Sequence, residues 1–364
     1  MNRLYLLGNG FDLAHNLKTS YTDFILDYLK ECFEKANHMV YKDELVEISS
    51  TYRVSNWSPP KSPKISDFLF ALVDENGRHK HKDELGSYYR PFQLRIKHRF
   101  FENLLTSCAS YNWVNIENEY FKHVKSIFKE CNEFNRAGSI NKLKSLNSTM
   151  RFLIERLDEY FSSINAMIDL DDFHALFHEP LIKEEFVNFP LTKAHLTHPQ
   201  FSMMLNFNYT STAEPYRKNG NFILNYIHGR AGDQSNPLIF GFGDEMDNDY
   251  SAMELNENKG FLKFMKSFGY FKTSNYYNLL RFIESDSFQI VILGHSCGLS
   301  DRTLLNMLFE HSNCISIKIF YYKHTNGNNY RELTEEISKH FRDKVSMRRK
   351  IVPFDLSKEM PQLK

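Results

Sequence analysis

The sequence predicts an α/β protein: a Rossmann-like parallel sheet flanked by helices, with a large, mainly helical insertion. Three observations lead there. The strand-like runs are short and continuously apolar, as strands buried on both faces are. Helical stretches lie among them. Glycines and polar residues gather where the apolar runs stop, which is where an open parallel sheet takes its ligands.

The first run, Leu4-Tyr5-Leu6-Leu7, ends at Gly8-Asn9-Gly10, and Phe11-Asp12-Leu13 then starts a helix. A strand, a glycine turn and a helix start make a phosphate-binding corner, because glycine admits a phosphate to the backbone and the helix start offers unpaired N–H donors. The same pattern also serves as a plain tight turn. A carboxylate repels phosphate, so Asp12 is expected to cap its helix or to face a ribose or a structural donor. Thr19-Ser20-Tyr21 reads as the cap of the next helix with Asp23 in its first turn, and its hydroxyls are also candidates for a pocket lining.

Tyr21, Phe24, Ile25, Tyr28, Leu29, Cys32 and Phe33 repeat at helical spacing, so 21–36 is expected to be an amphipathic helix packed on the sheet. The proline-rich stretch at 55–64 reads as loop and the charged stretch at 74–90 as a solvated connection. Helices resume through Trp113, Ile116, Tyr120, Val124, Ile127 and Phe128, and again from Leu143 to Ile168. Further strands are expected at 201–207, 222–227, 237–240, 288–293 and 315–321, with helices at 261–266, 275–285 and 301–311. A last helix uses Leu333, Ile337 and Phe341, and the tail from Val345 reads as basic, then polar, and partly disordered. The expected organisation is a nucleotide-binding domain at 1–42 and 196–330, a helical insertion at 43–195, and a C-terminal helix and tail at 331–364.

The totals narrow the function. With 364 residues and 42% apolar content, a sizeable core is assured. A net charge of +0 gives no support to a free-standing nucleic-acid binder. The 32 Phe and 20 Tyr read as core, since no segment clearly interleaves them with Lys and Arg as a base-stacking platform does. Five cysteines without C-x-x-C spacing read as free thiols. No apolar run is long enough for a membrane helix, and the start lacks a signal-type core. The expectation is a cytoplasmic protein.

Five polar clusters follow apolar runs: Gly8-Asn9-Gly10, Asn208, His228, Gly243-Asp244 and Gly294-His295-Ser296. A histidine at a strand end suits general-base work because it titrates near neutral pH; it also suits a plain loop hydrogen bond. Asn208 is placed to orient water or a ribose hydroxyl, or to bond its own turn. His174 and His178 lack the glutamate of a zinc-protease helix, so no metal is expected. His79 and His81 lie in the charged loop, where solvation is the expectation. Gly294-His295-Ser296-Cys297-Gly298 formally fits a nucleophile elbow, with His311, His324 and Asp343 downstream.

G-N-G-F-D-L-A-H at 8–15 followed by T-S-Y-x-D-F at 19–24 resembles the opening signature of the abortive-infection protein AbiH family. Also similar are Asn112-Trp113-Val114-Asn115-Ile116-Glu117, Leu205 to Thr210, Ile227-His228-Gly229, the glycine turn before Asp244, and Ile292 to Ser296 through Asp301. Asn16-Leu17-Lys18 replaces a family Gly-Leu-Pro step, and asparagine tolerates the left-handed backbone that glycine would supply. The resemblance implies bacterial defence against phage.

The order of motifs also looks like sirtuin-like NAD-binding domains, some of which destroy NAD. That likeness implies His228 as catalytic base and Asn208 as holder of water or ribose. It further implies ligand contacts from Gly8, Asn9, Gly10, Phe11, Asp12, Thr19, Ser20, Tyr21, Gly294, His295, Ser296 and Asp301. Asn9 and Asp12 depart from the sirtuin start, and the zinc cysteines of deacetylating sirtuins are absent. Under this likeness Ser296 contacts a nucleotide instead of attacking an ester. The expected function is thus an NAD(+) glycohydrolase or related nucleotide-cleaving effector. The expected ligand is NAD or a related nucleotide, and the other expected partner is a phage-derived trigger. No membrane partner is expected; self-assembly is left open. The alternatives are a non-catalytic nucleotide or phage-protein sensor, and a nuclease.

Overall fold

The structure is a computed structural model and describes residues 1–37, 40–50, 62–80, 91–111, 115–133, 136–164, 171–218 and 222–363. Trp113, Val114, His81, Ile168, most of the proline-rich stretch and the second half of the charged connection lie outside the described residues. Contacts divide the chain into two compact units: residues 1–19, 158–252 and 264–364, and residues 20–157 and 253–263.

The first unit is built on a six-stranded sheet. Its strands are β1 (Asn2–Leu7), β2 (Ser202–Asn206), β3 (Phe222–Tyr226), β4 (Phe288–Leu293), β5 (Cys314–Tyr321) and β6 (Lys358–Glu359). Their spatial order is β6-β5-β4-β1-β2-β3, and every pairing is parallel. This is the Rossmann strand order, in which the chain runs from β1 to one edge and then restarts on the other side of β1.

Alternate side chains bury on opposite faces. Leu4, Leu6, Ile290, Ile292, Ile317 and Ile319 join helices Asn275–Ser285, Arg302–Glu310 and Tyr330–Ser338 in one core. Tyr5, Leu7, Val291 and Leu293 face Phe11, Phe173, Phe177 and Tyr216 in the other. Both faces are therefore dry, and that is why the strands read as unbroken apolar runs.

Three expectations are corrected here. Residues 237–240 are not a strand, although Ile239 and Phe240 are buried. Ile239 N–H bonds the carbonyl of His228, and the run ends at Gly241, whose φ of +146° no neighbouring strand residue shares. The expected helix at 261–266 resolves into a 3₁₀ turn, Lys259–Leu262, and a separate short helix, Lys266–Gly269. The tail is ordered: it forms helix Lys344–Lys350 and the edge strand β6. Two apolar anchors in that polar segment, Val352 and Met360, are buried, and their N–H groups bond Ile317 and Tyr321 of β5.

In the second unit, helix Tyr21–Ala36 starts at a capping box in which Ser20 and Asp23 bond each other's backbone N–H. It packs on a small antiparallel sheet made of Tyr41–Lys42, Val46–Ser50 and Phe92–Ile96, within the second unit, whereas the parallel sheet expected to receive it belongs to the first. The small sheet went unread because its apolar positions, Val46 and Ile48 against Leu94 and Phe92, alternate over only a few residues. Helices Arg99–Tyr111, Ile116–Glu133 and most of Arg136–Ser163 make this part mainly helical.

Candidate functional site

Because the strands are parallel and paired in register, Leu7, Asn206, Tyr226 and Leu293 end at one level. The sequence clusters that follow β1, β2, β3 and β4 therefore meet at one edge. Gly243-Asp244 joins them from a loop, through Arg302, which donates to Asp244 at 3.2 Å.

The gap between β1 and β4 is the topological switch point, the usual ligand crevice of this fold. Here two glycine loops fill it. The N–H groups of Gly8 and Gly10 donate to the carbonyls of Leu293 and Gly294, and Phe11 N–H returns to Gly8. A Cβ on Gly8 would stand 2.4 Å from His295 Cα, and one on Gly10 would stand 2.7 Å from Gly294 Cα. These glycines thus let two backbones touch, and the N–H donors of the supposed phosphate corner are spent on that contact. Phe11 points into the core against Phe173 and Tyr216. Asn9 is exposed and accepts a hydrogen bond from Thr19 Oγ1 at 2.6 Å. Ser20 and Tyr21 serve the helix start in the second unit. Asn16 takes the left-handed backbone expected of it, with φ of 59°.

Asp12 faces structural donors. It is buried, and its carboxylate accepts from Asn208 Nδ2 at 3.0 Å and Thr210 Oγ1 at 2.6 Å. Burial pushes its carboxyl up to about 6, against the opposing pull of the Thr210, Thr212 and Asn208 hydrogen bonds. Asn208 Nδ2 also donates to Gly8 O at 3.0 Å, so the asparagine ties the end of β2 to the first loop. Its Oδ1 makes no hydrogen bond among the described residues. His15, in the same signature, is structural too. Its Nδ1–H donates to Phe11 O at 2.7 Å, so its Nε2 must accept from Tyr216 OH at 2.6 Å.

Beside this knot lies a buried charge cluster that centres on Asp301. Lys266 Nζ donates to Asp301 Oδ1 at 2.7 Å, and His228 Nε2 lies 3.2 Å from the same oxygen. His295 Nε2 stands 3.7 Å from Oδ2. Burial opposes ionisation of Asp301, but the Lys266 ammonium and His228 outweigh it and hold the carboxyl well below the usual carboxylate range. His295 accepts the Cys297 N–H on Nδ1 at 3.0 Å, which puts the proton of its neutral ring on Nε2, toward Asp301. Burial lowers His295 to about 4, so it is neutral at pH 7.

His228 is held by rings as well. Phe207 meets it edge-on at 5.1 Å and Tyr270 lies nearly parallel at 6.3 Å. Its Nδ1 makes no hydrogen bond among the described residues. The chemistry available is that of an imidazole oriented by a carboxylate, with Nδ1 as the basic atom.

Ser296 is exposed, and the left-handed residue in its turn is the following Cys297, with φ of 53°. The nearby His340 bonds the Cys297 carbonyl at 2.7 Å, and no described histidine bonds Ser296. The elbow pattern is therefore only formal. Lys266 and Tyr270 escaped sequence reasoning, because neither stands at a strand end or in a motif.

Asp12 and His295 make a testable pair. The folded-state value of Asp12 lies above its unfolded value, so its contribution is full below about 4 and is lost as pH rises through about 6. The value of His295 is depressed, so its contribution is present above about 6.5 and is lost as pH falls toward about 4. The two slopes oppose each other. In Asp12→Asn one of them is gone. Its stability relative to the unsubstituted protein should rise by up to about 3 kcal/mol between pH 4 and pH 7, for a shift of about two units. Guanidinium unfolding across that range measures the difference; a flat difference would show that Asp12 stays ionised.

The fold and its strand-end cluster define a Rossmann-order α/β protein with a buried histidine–carboxylate cluster as its candidate site. The family described as bacteriophage abortive infection AbiH matches residues 4–323, nearly the whole chain, and the chain belongs to that family. No curated protein matches it. The family carries a role in abortive infection, the defence in which an infected cell halts phage propagation. Among the described residues no helix is long and apolar enough to cross a membrane.

Proposed function

We propose that the chain defends against phage by cleaving the glycosidic bond of a nucleotide, with NAD(+) as the expected substrate. The observation that carries this reading is the His228–Asp301 pair at the end of β3. Asp301 accepts the Nε2 proton of His228 and fixes the ring, and Nδ1 takes a proton from the attacking water. The water oxygen bonds to ribose C1′ as the C1′–nicotinamide bond breaks. The bonding pair neutralises the pyridinium, and nicotinamide leaves together with ADP-ribose. Asn208 has only its Oδ1 free to hold that water, since its amide donors are committed.

Full-length protein incubated with NAD(+) should release nicotinamide, measured by chromatography. His228→Ala should cut the rate by about 10²–10⁴-fold, the usual contribution of a general base. Equal rates in the two proteins, or no NAD(+) loss in infected cells that the protein protects, would sink the proposal.

A second reading, a nucleotide or phage-protein sensor without chemistry, draws on burial: His228 and Asn208 are only 4% and 7% exposed. Under it His228→Ala still protects cells, and calorimetry finds a ligand that is bound and not consumed.

A further inference from the structure

Between Asn258 and Ile283 the chain carries no aspartate or glutamate. The part of this stretch in the first unit holds the short helix Lys266–Gly269, the 3₁₀ turn Tyr270–Lys272 and the helix Asn275–Ser285. Three aromatic rings there face solvent: Phe268 is 48% exposed, Phe271 83% and Tyr277 61%. Such rings are normally buried, so three in one short stretch need a reason.

Their arrangement is not that of a core turned outward. Phe268 and Phe271 stand three residues apart across one continuous turn, which places them on the same side of it. On the following helix Tyr277 and Arg281 are four apart, and the guanidinium lies 5.2 Å from the ring centroid. Lys272 is exposed beside Phe271. The two elements pack through the parallel rings of Tyr270 and Tyr276, whose centroids are 5.1 Å apart. Their exposed residues therefore adjoin. Glu245 is the acid that bears on this packing, and it acts on Tyr276, not on the exposed rings.

We propose that this surface binds single-stranded nucleic acid. Flat exposed rings interleaved with cations are what a stacking platform requires: each base offers a π-face to a ring, and Lys272 and Arg281 meet the backbone phosphates. The chain as a whole is neutral, and Lys272 and Arg281 give this stretch its sign; Glu284, the acid that follows on the same helix, lies 3.3 Å from His311. A membrane is the poorer fit. An interfacial helix needs a continuous apolar face, and the exposed side of helix Asn275–Ser285 is Tyr277, Asn278, Arg281, Glu284 and Ser285. The parallel rings of His228, Tyr270 and Tyr276 run from this surface to the strand-end cluster, so a bound strand would lie next to it.

Fluorescence anisotropy of full-length protein with labelled oligo-dT and oligo-rU of about 20 nucleotides, longer than one binding site, tests the proposal. Saturable binding that weakens as salt rises is expected. Phe271→Ala should weaken it about tenfold, the loss of one stacked base, and Lys272→Glu and Arg281→Glu should each weaken it and flatten the salt dependence. All three side chains are exposed, so thermal melts should match the unsubstituted protein. His228→Ala should bind as tightly as the unsubstituted protein, whatever becomes of its NAD(+) chemistry. No saturable binding, or Phe271→Ala binding equally well, overturns the proposal. Co-sedimentation with phosphatidylserine vesicles by a protein that ignores both oligonucleotides overturns it in favour of a membrane surface.

Discussion

Replacing Gly294 with alanine is expected to destabilise the protein by more than about 3 kcal/mol, the sum of two costs. The first is conformational. Gly294 has φ of +70°, which costs an L-residue about 1–2 kcal/mol. The second is steric. The new Cβ would stand 2.2 Å from Phe11 N and 2.4 Å from Gly10 C. Both are backbone atoms in a turn that is itself pinned to β4, so neither can step aside cheaply. Two controls separate the terms. Gly77 has nearly the same φ, +75°, but its Cβ would meet only side-chain atoms at 3.8 Å or beyond, so Gly77→Ala should cost the conformational term alone, about 1–2 kcal/mol. Gly8 lacks a positive φ and would clash at 2.4 Å, so Gly8→Ala reports the steric term alone. Equal midpoints for Gly294→Ala and Gly77→Ala in chemical unfolding would mean that the two glycine loops do not touch as described.

Removing the charge of Asp301 is expected to cost about 3–5 kcal/mol, because it leaves a buried ammonium without a counter-charge. Lys266 is 1% exposed and its Nζ donates to Asp301 Oδ1 at 2.7 Å. Asp301→Asn keeps the shape and one acceptor but not the charge. The double variant Asp301→Asn, Lys266→Met removes both charges and should recover much of the loss, since a buried pair replaced as a pair is often neutral. Denaturant unfolding of the two single variants and the double variant at pH 7 closes the cycle. A cost below about 1 kcal/mol for Asp301→Asn would show that water reaches Lys266. Under the proposed glycosidic cleavage, nicotinamide release should fall in both the single and the double variant, because the carboxylate that would orient His228 is gone.

Much of the sheet was legible because strand signals are local. Phe288–Leu293 is apolar at nearly every position and borders a glycine, and it is a strand over that whole span. Residues 237–240 look alike in composition, and Ile239 and Phe240 are buried, yet they form no strand. Burial depends on being apolar, whereas pairing needs a neighbour with free N–H and C=O groups, and Ile239 N–H is already given to His228 O. The small antiparallel sheet shows the converse: its strands pair well but carry too few alternating positions to stand out.

The site was legible in its members and not in its bonding. Composition and order along the chain mark His228, Asn208, Asp12, Gly294 and Asp301, since each belongs to a cluster that follows an apolar run or to a family motif. No local pattern says that Asn208 gives both amide protons to Gly8 and Asp12, or that Asp301 is shared by Lys266 and His228. The glycines of the first turn carry the same lesson. Their lack of a side chain is written in the chain, and it permits either a phosphate or another backbone to come close. Sequence periodicity sufficed for the strands and their faces, because a hydrophobic pattern acts over a few residues. Folding alone set the partners of the buried polar groups, because a charge or hydrogen bond is satisfied by whatever the fold brings within about 3 Å, however far away it lies in the chain.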